Sequence, residues 1–160
     1  MSVIVSERRE SKFEAVVYSI EIHNMLREFM QRNFGIKDLQ HFVRTRYLYH
    51  KDDVEDFEKY YYLLITHKKN IDTIASQLTN NVRAANSIYP TSIHEYEQRR
   101  DFQNFAIVNC EQLVKELQCV AETFDTNING YKQYINAIDR EIDLIKRWRQ
   151  RDNKIKSRLQ

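Results

Sequence analysis

The chain has 160 residues, a formal net charge of +2 and 42% hydrophobic residues, which fits one domain with a substantial buried core. One proline and two glycines are too few for the frequent turns that an all-β chain of this size requires. Together with 30% charged residues, this composition predicts an all-α protein.

The sequence predicts a cytoplasmic protein. No apolar run is long enough for a membrane span, and the start, MSVIVSERRES, lacks the apolar core and cleavage pattern of a signal peptide. Cys110 and Cys119 lie nine residues apart on one predicted helix, where they cannot bridge each other. Two unpaired cysteines without an export signal are typical of a reducing compartment.

The first predicted helix begins at a capping box of Ser11 and Glu14, runs to about Asn33 and ends at Gly35 in a left-handed conformation. Its pattern has two apolar faces. The first is a heptad seam of Ala15, Tyr18, Ile22, Met25 and Phe29. The second is a separate patch of Phe13, Val16, Val17 and Ile20. A surface helix of a lone bundle needs one apolar face, so we predict that this second patch is a homo-oligomer interface.

The segment from 36 to 50 is irregular in pattern. The second helix then begins near Asp52 and ends before Tyr89-Pro90, because the residue before a proline is pushed out of helical geometry. Its seam contains one polar residue, Lys68, which we expect to snorkel. The seam comprises Val54, Phe57, Tyr61, Leu64, Lys68, Ile71, Ala75, Leu78, Val82 and Ala85.

The third helix begins at a capping box of Ser92 and Glu95. Its heptad seam has two polar members in the first turns, Arg99 and Gln103. The full seam is Tyr96, Arg99, Gln103, Ala106, Cys110, Leu113, Leu117, Val120 and Phe124. A polar loop from Asp125 to Gly130 leads to the last helix. Four helices joined by short connections predict an antiparallel up-down four-helix bundle in a single domain, 1–160.

The last helix, from Tyr131 to Gln160, is predicted to have one apolar and one basic face. The apolar face comprises Tyr131, Ile135, Ile138, Ile142, Ile145 and Trp148. The basic face comprises Arg140, Arg147, Arg151, Lys154 and Arg158, within an arc of about 60°. Arg149, Asp152 and Lys156 interrupt the apolar face after Trp148, so we expect the helix to extend beyond the bundle. The segment from 140 to 158 carries a formal charge of +5, and the rest of the chain carries −3.

Catalytic and metal signatures are weak. The five histidines form no ligand motif, and two distant glycines exclude a glycine-rich phosphate loop. Arg44 and His50 have the spacing of the R-x(4–6)-H motif of HEPN-type ribonucleases, in which arginine holds phosphate and histidine transfers a proton. The motif lies early in the chain, and two common residues at loose spacing arise readily by chance. We therefore predict no catalytic residue, metal or cofactor, with a HEPN-like ribonuclease or another RNA-processing helical bundle as the alternative.

Four segments carry a family resemblance: SERRESKFEAV, NNVRAANSI, RRDFQNFAIVNCEQLV and IDLIKRWRQRD. They resemble the Avd-like (accessory variability determinant) proteins of diversity-generating retroelements, which are similar to the four-helix-bundle proteins of ribosomal-RNA intervening sequences. The resemblance implies a non-enzymatic accessory protein that forms a pentameric ring and binds a reverse transcriptase and its RNA template.

The resemblance also implies where a partner binds. The family's basic surfaces match Arg147, Arg149, Arg151 and Lys154, with Arg8 and Arg9 as weaker candidates. Together with the basic face, these give a predicted nucleic-acid or partner interface of Arg140, Arg147, Arg149, Arg151, Lys154 and Arg158. RNA and DNA remain alternatives, as does a structural bundle whose basic face is merely solvated.

Overall fold

A computed structural model describes residues 2–36, 53–124 and 126–160, with side chains described from residue 14 in the first range and from residue 58 in the second. These ranges contain four long helices and no strand. The helices are α1 (Ser2–Gln31), α2 (Asp53–Ser87), α3 (Ile93–Thr123) and α4 (Lys132–Leu159). The predicted all-α fold is confirmed.

The helices pack as an up-down bundle. α1 packs on α2 and α4, and α3 packs on the same two helices, so α1 and α3 lie on one diagonal. The sequence neighbours α2 and α3 run antiparallel, because their contacts join His67 to Glu116 and, farther along α2, Asn81 to Asn109. α1 and α4 are also antiparallel, with Phe29 on Tyr134 and Glu14 on Arg140. None of the described helices is long and apolar enough to cross a membrane.

One core runs through the bundle. Every residue of the predicted α3 seam is buried, from Tyr96 to Phe124. Its apolar members from Ala106 to Phe124 join buried side chains of the other three helices in a single cluster. Both cysteines are free, as predicted from their spacing. The complete seam of α3 therefore faces the bundle axis, including its two polar members.

The predicted α2 seam is wrong at Tyr61, which is 49% exposed. The preceding residue, Tyr60, is half-buried and packs against Phe124 with ring centroids 6.0 Å apart. Lys68 is half-buried, and its ammonium donates to Asn33 Oδ1 at 2.6 Å. Burial lowers the pKa of Lys68. Val54 and Phe57 lie where no side chains are described.

The start of α1 differs from the prediction. The expected capping box of Ser11 and Glu14 lies inside the helix, which already begins at Ser2. The preceding residues include no glycine or proline that would stop the helix from extending upstream. The short S-x-x-E pattern is therefore not sufficient to predict where this helix begins.

The end of α1 agrees with the prediction. Gly35 has φ +81°, and the two residues before it, Asn33 and Phe34, also have positive φ. The unfavourable backbone at Phe34 is offset by burial of its ring, which packs edge-to-face on Phe29 with centroids 5.4 Å apart.

The predicted cap of α3 is confirmed. The Glu95 N–H donates to Ser92 Oγ at 3.2 Å. The Glu95 carboxylate accepts from the Thr91 N–H at 2.6 Å and from the Thr91 hydroxyl at 2.7 Å. These bonds lower the pKa of Glu95. Before α4, the predicted loop contains a 3-10 turn at Ile128–Tyr131, in which the Asn127 side chain accepts from the Asn129 N–H.

Candidate nucleic-acid and partner interface

The basic residues predicted on the last helix do not form one surface. Arg140, Arg147, Lys154 and Arg158 are exposed, whereas Arg149 and Arg151 are half-buried. Their surroundings differ along the helix, so each part is described separately.

The first part of the basic face is compensated by acids. The Arg140 guanidinium lies over the Tyr18 ring, 4.6 Å from its centroid, and contacts Glu14 at 3.3 Å. A groove of about 360 Å³ opens between α1 and α4 at this level. Its lining comprises Glu14, Asn136, Asp139, Arg140, Asp143, Leu144 and Arg147. Three carboxylates against two guanidinium groups leave this groove unsuited to a polyanion.

The last turns of α4 are purely basic. Lys154, Lys156 and Arg158 are all exposed, and residues 153–160 include no acid. Cationic residues in the last turn of a helix also interact favourably with its dipole. This end of α4 therefore presents positive charge without a compensating carboxylate of its own.

Arg149 lies on the flank that faces α3. Its Nη1 donates to Asn104 Oδ1 at 2.7 Å, and its Nε is buried without a hydrogen-bond partner among the described residues. Burial lowers the pKa of Arg149, and the nearby charge of Arg100 lowers it further. Arg149 is thus a half-buried guanidinium beside a second one, a juxtaposition that the pattern of α4 alone did not predict.

We expected α4 to extend beyond the bundle after Trp148. This is wrong for the segment up to Asp152, because Asp152 is buried. The Asp152 carboxylate accepts from Arg99 Nε at 2.7 Å and Nη2 at 2.6 Å, and from Gln103 Nε2 at 2.9 Å. Arg99 Nη1 also donates to the Ile88 carbonyl at 3.0 Å. The polar seam positions of α3 and the acid of α4 are complementary, so the core continues to Asp152.

Glu141 is an unexpected member of the core. Its side chain is 0% exposed, and neither carboxylate oxygen has a hydrogen-bond partner among the described residues. The pKa of Glu141 is raised to about 9, mainly by burial and also by the charge of Glu14, against the opposing charge of Arg140. The sequence carried a signal, because Glu141 lies at helical spacing between Ile138 and Ile145 on the apolar face.

Two of the three described histidines, His23 and His67, make contacts between helices, and His94 is exposed. His23 Nε2 lies 2.7 Å from Asp72 Oδ1, and His67 Nδ1 lies 3.1 Å from Glu116 Oε2, so each contact joins two helices. Hydrogen bonds from His23 and Arg27 lower the pKa of Asp72. The described part of the chain contains no cluster of histidine, cysteine and acidic residues able to hold a metal ion. Arg44 and His50 lie outside the described residues.

The predicted oligomer patch is less exposed than the sequence indicated. Val16, Val17 and Ile20 are each half-buried within the single chain, and Val16 packs against the core. Phe13 has no described side chain. The expectation that the patch is left in water is wrong for Val16, because the core extends to that residue.

An apolar surface that the heptad pattern did not predict lies on α3, and its side chains are more exposed than the described members of the α1 patch. Phe105 is 54% exposed and Val108 is 46% exposed. The half-buried Phe102 packs edge-to-face on Phe105, with ring centroids 6.4 Å apart. Because α1 and α3 are diagonal in the bundle, this surface and the α1 patch belong to opposite helices.

The resemblance to the Avd-like proteins rests on the four sequence segments. Comparison of the chain with protein-family models, with curated proteins and with solved structures finds no match.

Proposed function

We propose that this chain is a non-enzymatic accessory protein of a diversity-generating retroelement. In this role it self-associates and binds the element's reverse transcriptase and its RNA template in the cytoplasm. The observation that carries the proposal is the basic end of α4, where Lys154, Lys156 and Arg158 are exposed and residues 153–160 include no acid. The Avd-like segments supply the class of partner.

RNA is the favoured anionic partner because the exposed cations are gathered at one end of an otherwise slightly acidic chain. Guanidinium groups bind phosphate through two parallel hydrogen bonds, and each neutralised phosphate releases counterions. The proposed contacts are Arg151, Lys154 and Arg158 on the basic face, with Arg149 on the opposite side of α4. Arg140 and Arg147 contribute less in this proposal, since acids of α1 and α4 line the same groove.

Self-association would strengthen such a surface. Four or five charges on one chain give modest affinity, whereas a pentamer presents the same surface five times and gains from effective concentration. The proposal is supported by the exposed apolar surface of α3 at Phe105 and Val108, with the half-buried α1 patch on the diagonal helix as a second candidate surface. Contact between different surfaces of neighbouring copies generates a ring when the rotation closes.

The test is reconstitution with the reverse transcriptase and template RNA of the same element. Co-expressed and purified at moderate salt, the three components are expected to elute as one complex. Binding of single-stranded RNA should weaken with salt, with a log–log slope near −0.7 for each phosphate contacted. A chain that binds neither the enzyme nor RNA at low salt would contradict the proposal, and RNA cleavage would favour the ribonuclease alternative.

A further inference from the structure

Two arginines and two asparagines form a reciprocal cluster on the flank between α3 and α4. Arg100 of α3 donates through Nη2 to Asn153 Oδ1 of α4, and Arg149 of α4 donates to Asn104 Oδ1 of α3 at 2.7 Å. Within each helix the arginine and the asparagine are four residues apart and therefore on one face. The antiparallel packing of α3 and α4 pairs each arginine with the asparagine opposite.

The cluster has more hydrogen-bond donors than hydrogen-bond acceptors. A guanidinium group has only donors, and each asparagine uses its carbonyl oxygen to accept from an arginine. The Tyr96 hydroxyl accepts from Arg100 Nη2 at 2.9 Å and donates to Asn153 Oδ1 at 3.2 Å. The groups that remain are N–H donors of the arginines and of the asparagine amides, which suit an anion.

Charge in the cluster is uncompensated by its neighbours. Within the described ranges, neither Arg100 nor Arg149 forms an ion pair with a carboxylate. The nearest buried acid, Asp152, is already bound by Arg99 and Gln103. Two adjacent guanidinium groups repel each other, and a bound dianion or phosphodiester would remove that repulsion.

We propose that Arg100 and Arg149 form a phosphate-binding site, assisted by the amide groups of Asn104 and Asn153. The ligand is the phosphodiester backbone of single-stranded RNA. This choice of ligand rests on the function proposed above. Exposed Lys146 and Lys156 continue the site, since residues 146, 149, 153 and 156 follow helical spacing on one side of α4. This row spans about 15 Å, a length that suits a polymer of phosphates better than a single phosphate.

The site is distinct from the basic face predicted from the sequence. Of the two cluster arginines, Arg149 lies opposite that face and Arg100 lies on another helix. Arg140 and Arg147 provide a matched comparison, because they are also two arginines of α4 but share their groove with three carboxylates. The paired variants Arg100→Gln/Arg149→Gln and Arg140→Gln/Arg147→Gln remove the same charge from the chain.

The first experiment measures binding of a labelled single-stranded RNA by fluorescence anisotropy over a range of salt concentrations. Arg100→Gln/Arg149→Gln should weaken binding by about tenfold or more and flatten the log–log salt slope by about 1.4, or 0.7 for each lost contact. Arg140→Gln/Arg147→Gln should change affinity by less than about threefold, since its arginines are already compensated. Equal losses in the two variants, or no loss in the first, would overturn the proposed site.

The second experiment tests the site without RNA. The Arg Nε–Hε signals of the ¹⁵N-labelled protein are followed by NMR while inorganic phosphate replaces chloride at constant ionic strength. Arg100 and Arg149 should shift with saturation, and Arg147 should not. Saturable shifts without RNA binding would support the phosphate site and contradict only the proposed function. RNA binding without these shifts, and unaffected by Arg100→Gln/Arg149→Gln, would contradict only the site.

A conservative variant separates recognition from folding. Arg100→Lys/Arg149→Lys keeps both charges but removes the guanidinium fork that binds phosphate in two places. It should keep most of the salt slope and lose affinity by about threefold or more. Thermal unfolding by circular dichroism reports whether each variant is folded. A lysine variant that is folded and binds RNA as tightly as the wild type would contradict recognition by the guanidinium groups.

Discussion

Glu141 gives the sharpest test of how this core is built. The variant Glu141→Gln keeps the shape of the side chain and removes its ionisation. In the folded chain the carboxyl is buried without a hydrogen-bond partner in the described structure, and burial raises its pKa from 4.5 to about 9. In the unfolded chain the same carboxyl is in water. The folded protein therefore holds the proton more tightly than the unfolded protein does.

The sign of the pH dependence follows from that difference. Glu141 lowers the free energy of unfolding least below about pH 4.5, where the carboxyl is protonated in both the folded and the unfolded chain. This loss of stability grows as the pH rises towards 9. Each pH unit in this window is worth about 1.4 kcal/mol of the free energy of unfolding. The wild type should thus lose about 3 kcal/mol between acid pH and pH 7, relative to Glu141→Gln.

The assay is urea unfolding of wild type and Glu141→Gln at pH 5, 7 and 8.5, at one protein concentration because association would alter apparent stability. The difference between the two proteins cancels the titration of other groups. It should be small at pH 5 and rise in favour of the variant by roughly 1.4 kcal/mol per unit. Glu122→Gln, on an exposed position of α3, is the control. A difference that stays constant from pH 5 to 8.5 would refute a protonated, unpaired Glu141.

Three further predictions concern the core, the assembly and the chemistry. Asp152→Ala should lower the free energy of unfolding by about 3–5 kcal/mol, because it leaves the buried Arg99 guanidinium without its acid; Arg99→Leu/Asp152→Leu should lower it less, and equal losses would contradict this. Light scattering at micromolar concentration should give a multiple of the 19.4 kDa chain mass, and Ile20→Asp should reduce it; a wild-type monomer would contradict self-association. Purified protein should leave several RNAs uncleaved, and cleavage that His50→Ala abolishes would identify a ribonuclease.

Regular features of the fold could be predicted from the sequence, and features that depend on neighbouring helices could not. The α3 seam is buried in full because heptad spacing fixes one face over the whole helix. Tyr61 was placed inward by the same spacing, but Tyr60 takes the position beside Phe124. In a run of three tyrosines, the apolar pattern does not indicate which one faces the core, since all three side chains are equally apolar.

Polar residues of the candidate site were less predictable. Glu141 and Asp152 lie on the apolar face of α4, yet their sequence positions do not reveal that one is unpaired and the other is bound by Arg99. Likewise, the spacing of Arg100 and Asn104 predicts only that they lie on the same face of α3. Their pairing with α4 depends on the vertical register of two helices, which is a property of tertiary packing.

The buried ion pair and the proposed phosphate site are linked by that register. Arg100 follows Arg99 on α3, and Asn153 follows Asp152 on α4, so the two contacts are neighbours at the same level of the bundle. The inner contact is buried and bidentate, and a shift of either helix by one turn would leave two charges without partners in the core. That penalty holds the outer Arg100 opposite Asn153 and thereby keeps it near Arg149. A buried pair that adds little net stability can thus fix the geometry of the two guanidinium groups at the surface.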